Sequence, residues 1–402
     1  MKSLIEKAPP ITEAYDSSTP NFYAYLEEVI TWFKSQEKDY ASIDADARSV
    51  APAEGALGFR LALKIAESRR ILCSISDPVT ITLLNPVYKE SARMLRREEH
   101  PHGEDSIRFK MGALERLEAL NPKLSCRFFV IEDGCPDASG EKAQAILDED
   151  FPHAVSNNKA RVYSLSKAID TNDTDLPPGV THKQGSNRSV KGGAVLLGMR
   201  KALADDTVTG QHVIIDNDAD LSIHPEQIGL LLEPILQGDA EAVAGSRRES
   251  DSVALIGSSR NTRGRLFIQI WQHLLPQLSE QITDTNRAFK AFTGSALKRI
   301  VNQIATYTFP YQIELLQACI SADVPLVKRG IAYVDSEAAS TQQGEAITET
   351  YLHQIHQIAA IARRYKTIDT SDPLLNFLES IEDEAWQQIE NNPPERLEDL
   401  LT

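Results

Sequence analysis

HVIIDNDADLSIHP, residues 212–225, joins a β-branched run of strand length to three carboxylates at alternate positions, Asp216, Asp218 and Asp220. Were the strand to continue, all three would project from one face, where unpaired carboxylates repel one another. A divalent cation removes that cost. Mg²⁺ and Mn²⁺ prefer oxygen ligands and are held by one or two carboxylates together with substrate phosphates. The same residues also spell a capped turn, with Asp220 leading towards a helix near Pro225.

Comparable runs lie on both sides of it: VTITLLNPVY (79–88), CRFFVIEDG (126–134), ARVYSLS (160–166), AEAVAGSR (240–247) and VPLVKRGIAYV (324–334). Helical stretches separate most of them, which implies right-handed crossovers and a mainly parallel sheet. In such sheets the loops at the carboxyl ends of the strands build the ligand site. Ahead of the first strand, TPNFYAYLEEVITWFKSQ (19–36) offers Thr19 as N-cap and Pro20 at the first helical position, and AEGALGFRLALKIAESRRIL (53–72) is a second helical segment. Residues 1–76 are therefore expected to form an N-terminal helical extension, 77–345 the α/β domain and 346–402 a C-terminal helical extension. Beyond Ser371 the chain carries nine Asp or Glu against one Arg, which reads as a solvated, acidic cover.

Three further motifs lie in the loops. VIEDGCPDASG puts Asp133 at a strand end, where a carboxylate can accept hydrogen bonds from a base or ribose; Asp137 and Ser139 serve equally well as turn and cap residues. NRSVKGGAVLLGM places Lys191, Gly192 and Gly193 before an apolar helix, so that an ammonium and backbone amides could face an anion. It lacks the GxxxxGK[ST] pattern, which excludes a P-loop ATPase. AVAGSRRES and SSRNTRGR bring Arg247, Arg248, Arg260, Arg263 and Arg265 close in sequence, and guanidinium forks suit diphosphates or phosphorylated acceptors. The amphipathic LFIQIWQHLLPQL that follows could form core, an acceptor groove or a membrane-facing surface, with core the leading reading.

Composition narrows the class. The chain has 402 residues, 42% of them hydrophobic and 25% charged, as in a globular protein with a sizeable core. A net charge of -16 opposes general attraction to nucleic acid or anionic lipid. Cys73, Cys126, Cys135 and Cys319 form no CxxC pair and read as reduced thiols. With no signal-like or spanning apolar stretch, a cytoplasmic protein is expected, peripheral membrane contact apart.

Taken in order, the motifs resemble glycosyltransferase family 2, in particular the branch of dolichyl-phosphate mannose and glucose synthases, over roughly residues 78 to 340. NPVYKES is similar to the family's opening Pro-x-Tyr-Asn-Glu loop, with Lys89 in place of Asn, and EDGCPDAS to its Asp-Asp-Gly-Ser, with Glu132 in place of the first acid. KGGAV, DADLSIHP and GSRR resemble the lysine loop, the metal signature and a strand-end Gly-Ser-Arg; DTNRAFKAF resembles an acceptor-side loop, with Ala288 in place of glycine.

The resemblance implies a GT-A fold, Rossmann-like, with a mainly parallel central sheet flanked by helices. It also implies transfer of a hexosyl unit from a nucleotide-diphosphate sugar, UDP-sugar being favoured and GDP-mannose the alternative, to a hydroxyl or phosphate acceptor. Carried over residue by residue, Pro86, Tyr88, Glu90, Asp133, Lys191, Gly192, Asp218 and Arg247 hold the donor. Asp218 and Asp220 bind Mn²⁺ or Mg²⁺, Asp216 standing behind them, with His353 or His356 as a third ligand. Glu314 and Asp284 are the candidate bases of an inverting transfer. Two rivals remain: a retaining enzyme making a small soluble glycoside such as a glycosyl-glycerate, and a noncatalytic relative that binds nucleotide.

Overall fold

The computed structural model of the chain describes residues 1–9, 19–50, 56–185, 187–255, 261–335, 346–394 and 396–401. Its strands are β1 (Val79–Val87), β2 (Leu124–Glu132), β3 (Ala160–Ser164), β4 (Gln211–Asp216), β5 (Ala242–Ser246), β6 (Val253–Leu255), β7 (Lys290–Thr293), β8 (Leu326–Gly330) and β9 (Ala332–Val334). Seven of them form one sheet in the order β3-β2-β1-β4-β7-β5-β8, while β6 and β9 form a separate ribbon. All pairings in the large sheet are parallel except those of β7, which runs antiparallel to both β4 and β5. This is the mainly parallel, helix-flanked sheet expected of the GT-A fold. The sequence reading missed β6 and β7, and took β8 and β9 as one strand. β7 is short and places a lysine, Lys290, in a buried strand position, which removes the apolar pattern that would announce it.

Helices cover both faces, so the central strands are buried throughout; β1 has no exposed residue. Val79, Ile81, Leu83 and Val87 of β1 pack on one side against α5 (Ser106–Leu120), α6 (Ser139–Asp150) and α10 (Ile228–Gln237). Leu84 faces the other side, with α8 (Leu165–Asp170), α9 (Gly192–Leu203), α11 (Asn261–Leu274), α12 (Pro276–Gln281), α13 (Gly294–Ile300) and α14 (Tyr311–Ser321). A short helix, α7 (Pro152–Ser156), precedes β3. The amphipathic stretch read as core is core: Leu266, Phe267, Ile270, Trp271 and Leu274 are buried.

The C-terminal helices α15 (Ala346–Tyr365), α16 (Pro373–Ser380) and α17 (Asp383–Asn391) send Ile355, Ile358, Leu375, Leu378 and Trp386 into that same core. At the other end of the chain stand α1 (Lys2–Lys7), α2 (Pro20–Lys34), α3 (Tyr40–Val50) and α4 (Leu57–Cys73). Thr19 caps α2 as expected, accepting from the Phe22 amide at 3.3 Å. α4 is buried along most of its length and shares a core with α2 and with Val253 and Ala332 of the ribbon. Lys64 of α4 donates to Asp251 (2.9 Å) and to the Gly330 carbonyl (2.8 Å), and Ser68 to the Glu226 carbonyl (2.5 Å). Glu226, itself fully buried, accepts from Arg69 (2.7 Å), Arg116 (2.8 Å) and Tyr23 (3.2 Å). The N-terminal helices are thereby wired to the segment six residues beyond Asp220. Among the described residues no helix is long and apolar enough to cross a membrane.

Candidate active site

The site residues collect at the carboxyl ends of β1, β2 and β4, beside the point where the strand order reverses, the standard ligand position of an open α/β sheet. β1 delivers Tyr88 and β2 delivers Asp133, whose amide donates to the Val87 carbonyl at 3.1 Å. Asp133 is only 2% exposed. Its Oδ2 accepts from the Lys183 ammonium and from the Lys191 amide, both at 2.8 Å, while its Oδ1 is buried without a hydrogen-bond partner. Lys183 also donates to the Ser189 carbonyl (2.8 Å) and lies 4.3 Å from the centre of the Tyr88 ring. Glu132 accepts from Ser164 at 2.8 Å and from the Cys135 amide, tying the loop to β3.

β4 ends at Asp216, so the alternation of the three aspartates is broken by the chain leaving the sheet. Asp216 is 1% exposed and accepts from the Tyr311 hydroxyl at 2.6 Å; its Oδ1 has no hydrogen-bond partner, and burial raises its carboxyl. Asp218 sits in the turn against the Lys191 ammonium. Burial alone would raise the Asp218 carboxyl, but Lys191 and Arg287 outweigh it and hold it at about 2. Asp220 accepts from the Ser222 amide at 3.1 Å, the turn contact that its sequence also suggested. Beneath the turn Lys110, fully buried, donates to Asn85 (2.5 Å) and to the Asp218 carbonyl, and burial pushes it down to about 8.

Across the sheet, Arg247 at the end of β5 is gripped by Asp284 through Nε (2.7 Å), Nη2 (2.9 Å) and its amide (3.1 Å). Arg247 and Arg287 share the Tyr333 ring, at 5.3 Å and 4.8 Å from its centre. Tyr333 accepts from Arg287 (3.0 Å) and donates to Asp335 (2.7 Å). Lys290, buried in β7, donates to Gln312 (2.9 Å) and is lowered to about 8 by burial. Two carboxylates at a strand-end turn thus face a concentration of ammonium and guanidinium groups, the arrangement needed to bind an anion through an ion.

Residues 112–303 match the family model described as glycosyl transferase family 2. Just under half of the chain is thus similar to glycosyl transferase family 2. The match takes in Asp133, Lys191, Asp218, Asp220, Arg247 and Asp284, and stops short of Tyr88 and Glu90 on one side and Glu314 on the other. No curated protein matches the chain. Similar solved structures include a mycobacterial protein, 16% identical over 76% of this chain and 80% of that one, with a TM-score of 0.48. Another is glucosyl-3-phosphoglycerate synthase from Mycobacterium tuberculosis with Mn²⁺ and UDP-glucose, at 16% identity, 76% and 84% coverage and a TM-score of 0.46. The same enzyme with Mn²⁺, UDP and phosphoglyceric acid matches at 16% identity, 76% and 84% coverage and a TM-score of 0.46.

Several side chains of the matched segment and its flanks have partners that the sequence did not suggest. Glu314 is fully buried; it accepts from the amides of Ala305 (3.2 Å) and Thr306 (2.7 Å) on one oxygen and from Arg364 on the other. A carboxylate so committed ties the 305–306 segment to α15. Asp284 is likewise spent on Arg247: burial would raise it, but the guanidinium fork and amide hold it at about 2, too acidic to accept a hydroxyl proton readily. Glu90, carried over as a donor contact, pairs with Arg93 at 2.7 Å. His356 bonds the Ile381 carbonyl at 3.0 Å, between α15 and the start of α17. Neither it nor His353 completes a site with Asp218 and Asp220: among the described residues no group of three His, Cys, Asp or Glu is placed to hold a metal. Arg260 lies outside the described residues, as does the side chain of Arg263. Lys110, Lys183, Arg287, Lys290, Tyr311 and Tyr333 went unread, although Arg287 and Lys290 lie inside the motif DTNRAFKAF.

The start of α9 is held by the chain itself, since the Lys191 amide goes to Asp133 and the Gly193 amide to Tyr307 (3.2 Å). Gly192 is required by that closeness: a Cβ there would lie 2.7 Å from the Tyr307 carbonyl carbon and 2.9 Å from the Tyr311 Cβ. Gly192→Ala should lower unfolding stability by about 1–3 kcal/mol through overpacking against backbone, read as a lower urea midpoint with an unchanged m-value.

The Asp284–Arg247 pair also sets an acid limb of stability. A carboxyl at about 2 in the folded chain, against roughly 3.9 unfolded, favours the fold above the unfolded value and loses that contribution as pH falls towards 2. Asp284→Asn should cost roughly 2–3 kcal/mol at pH 7. Its deficit relative to the parent should shrink below pH 4, as urea unfolding from pH 7 to pH 3 would record.

Proposed function

We propose that this chain is a metal-dependent hexosyltransferase whose donor is a nucleoside-diphosphate sugar, with a UDP-sugar favoured. The observation that carries the reading is the pairing of Asp218 and Asp220 with a ring of cations formed by Lys191, Arg287 and Lys110, at the switch point of the sheet. The donor set fits Mn²⁺ or Mg²⁺. It offers carboxylate oxygens from two residues with, among the described residues, no third protein ligand grouped beside them, which would suit an ion whose remaining positions are filled by diphosphate oxygens and water. Bound there, the ion would offset the charge of the leaving diphosphate. Asp218 and Asp220 hold it, Lys191 and Arg287 face the same diphosphate, and Tyr88 with Asp133 seats the base. Arg247, pre-oriented by Asp284, serves an anionic group on the donor or acceptor.

A second reading concerns stereochemistry. Both carboxylates nominated as the base of an inverting transfer are consumed in ion pairs. This favours a transfer in which the bond from the anomeric carbon to the diphosphate breaks as the acceptor oxygen bonds to the same face. The departing diphosphate then takes the acceptor proton, and configuration is retained. The test is calorimetric titration with UDP- and GDP-sugars, with and without Mn²⁺, followed by proton NMR of the product anomer. Absence of any metal-dependent donor binding overturns the function; an inverted product overturns the second reading alone.

A further inference from the structure

The base cradle contains an asymmetry that the metal site does not need. Asp133 has two carboxylate oxygens and they are unequal: Oδ2 already receives the Lys183 ammonium and the Lys191 amide, each at 2.8 Å, whereas Oδ1 is buried and unpartnered. A buried acceptor without a donor carries a desolvation cost that a ligand N–H would relieve. Asp133 therefore lacks one donor, and next to it stands a cation with donors of its own.

Nucleobases differ in what they offer such a site. Uracil presents a single N3–H between two carbonyls, so that one acceptor flanked by one donor satisfies its edge. Guanine presents N1–H and an amino group side by side, and needs both oxygens of a carboxylate. Cytosine presents an acceptor at N3 and would meet Oδ1 with like charge. We infer that Lys183 is the specificity-determining residue of the donor site. By occupying Asp133 Oδ2 and offering an N–H to a flanking carbonyl, it selects a uracil nucleotide over a guanine one. The inference rests on the nucleotide-sugar reading above and extends it to the choice of base.

Two further contacts fix Lys183 in this role. Its Nζ donates to the Ser189 carbonyl at 2.8 Å, and it lies 4.3 Å from the centre of the Tyr88 ring, so the ammonium is held at the edge of the surface on which a base would stack. The lysine side chain remains 27% exposed, so its replacement leaves no buried cavity. Selection of this kind works by exclusion as much as by attraction: guanine would leave its amino group facing an ammonium.

The experiment is calorimetric titration of the full chain, with Mn²⁺ present, using UDP and GDP against the parent, Lys183→Met and Lys183→Arg. The parent should bind UDP at least tenfold more tightly than GDP. Lys183→Met should weaken UDP by about tenfold, the value of one charge-assisted hydrogen bond, and leave GDP unchanged or tighter, so that the preference falls to about threefold or less. Lys183→Arg should restore most of it. A Lys183→Met protein that binds UDP with the parental preference overturns the role of Lys183 and leaves the donor reading standing. A parent that prefers GDP overturns the selection of uracil. A parent that binds neither nucleotide overturns the donor reading and this assignment together.

Discussion

Asp218→Asn should lower kcat/KM for sugar transfer by about 10²–10³-fold, the range found when one preorganised electrostatic contact to a developing charge is removed. Without that carboxylate, Lys191, Arg287 and Lys110 lose the anion that three of them surround, and an incoming dication meets net positive charge. The fold should survive: the loss of the Lys191 pair costs on the order of 1–3 kcal/mol, which circular dichroism and thermal melting would register as a shifted but cooperative transition. Asp220→Asn should behave similarly. Asp216→Ala should keep metal affinity better than alanine at either of the other two, because Asp216 bonds Tyr311 rather than facing the turn. Titration of each variant with Mn²⁺, read by electron paramagnetic resonance, compares them directly; equal loss in all three would return Asp216 to the metal.

The second large effect is on stability. Glu314→Ala should cost about 3–5 kcal/mol, because it strips a fully buried carboxylate from Arg364 and from the amides of Ala305 and Thr306. Glu314→Gln retains an acceptor for those amides and should cost less, about 1–3 kcal/mol. The folded Gln variant should turn over at close to the parental kcat. A general base at this position would instead lose 10²–10⁴-fold on amidation. Urea unfolding together with kinetics at saturating donor separates the two outcomes.

The two carboxylates proposed to hold the metal, Asp218 and Asp220, were legible because a single turn holds them, so spacing and neighbours in the chain carry the signal. Asp133 was legible for a related reason: a strand end followed by a turn is visible locally. Lys110 was not, since it reaches the Asp218 carbonyl from a helix 108 positions away in sequence. Lys183 lay in a polar loop whose sequence gives no sign that Asp133 and Tyr88 converge on it. Glu314 shows the reverse situation. Its place near an acceptor loop looked catalytic, and only the folded chain brings Arg364 onto it from α15. β7 escaped for an energetic reason, since a buried strand lysine is allowed only where Gln312 and a carbonyl wait to receive it.

The wiring of α4 has a consequence for how the chain can be cut and how it is made. Lys64 contacts Gly330 across 266 positions, and Arg60 contacts Asp251 across 191. Contacts so remote delay folding, because long loops must close before they are rewarded. As the ribosome releases the N-terminal helices, the surfaces that will cover them are not yet synthesised, so α4 waits with its apolar face open until most of the polypeptide has emerged. A fragment trimmed to residues 77–345 would reproduce that exposure permanently. It would deprive Glu226 of Arg69 and Tyr23, uncover the ribbon of β6 and β9, and should aggregate more readily than the 402-residue chain.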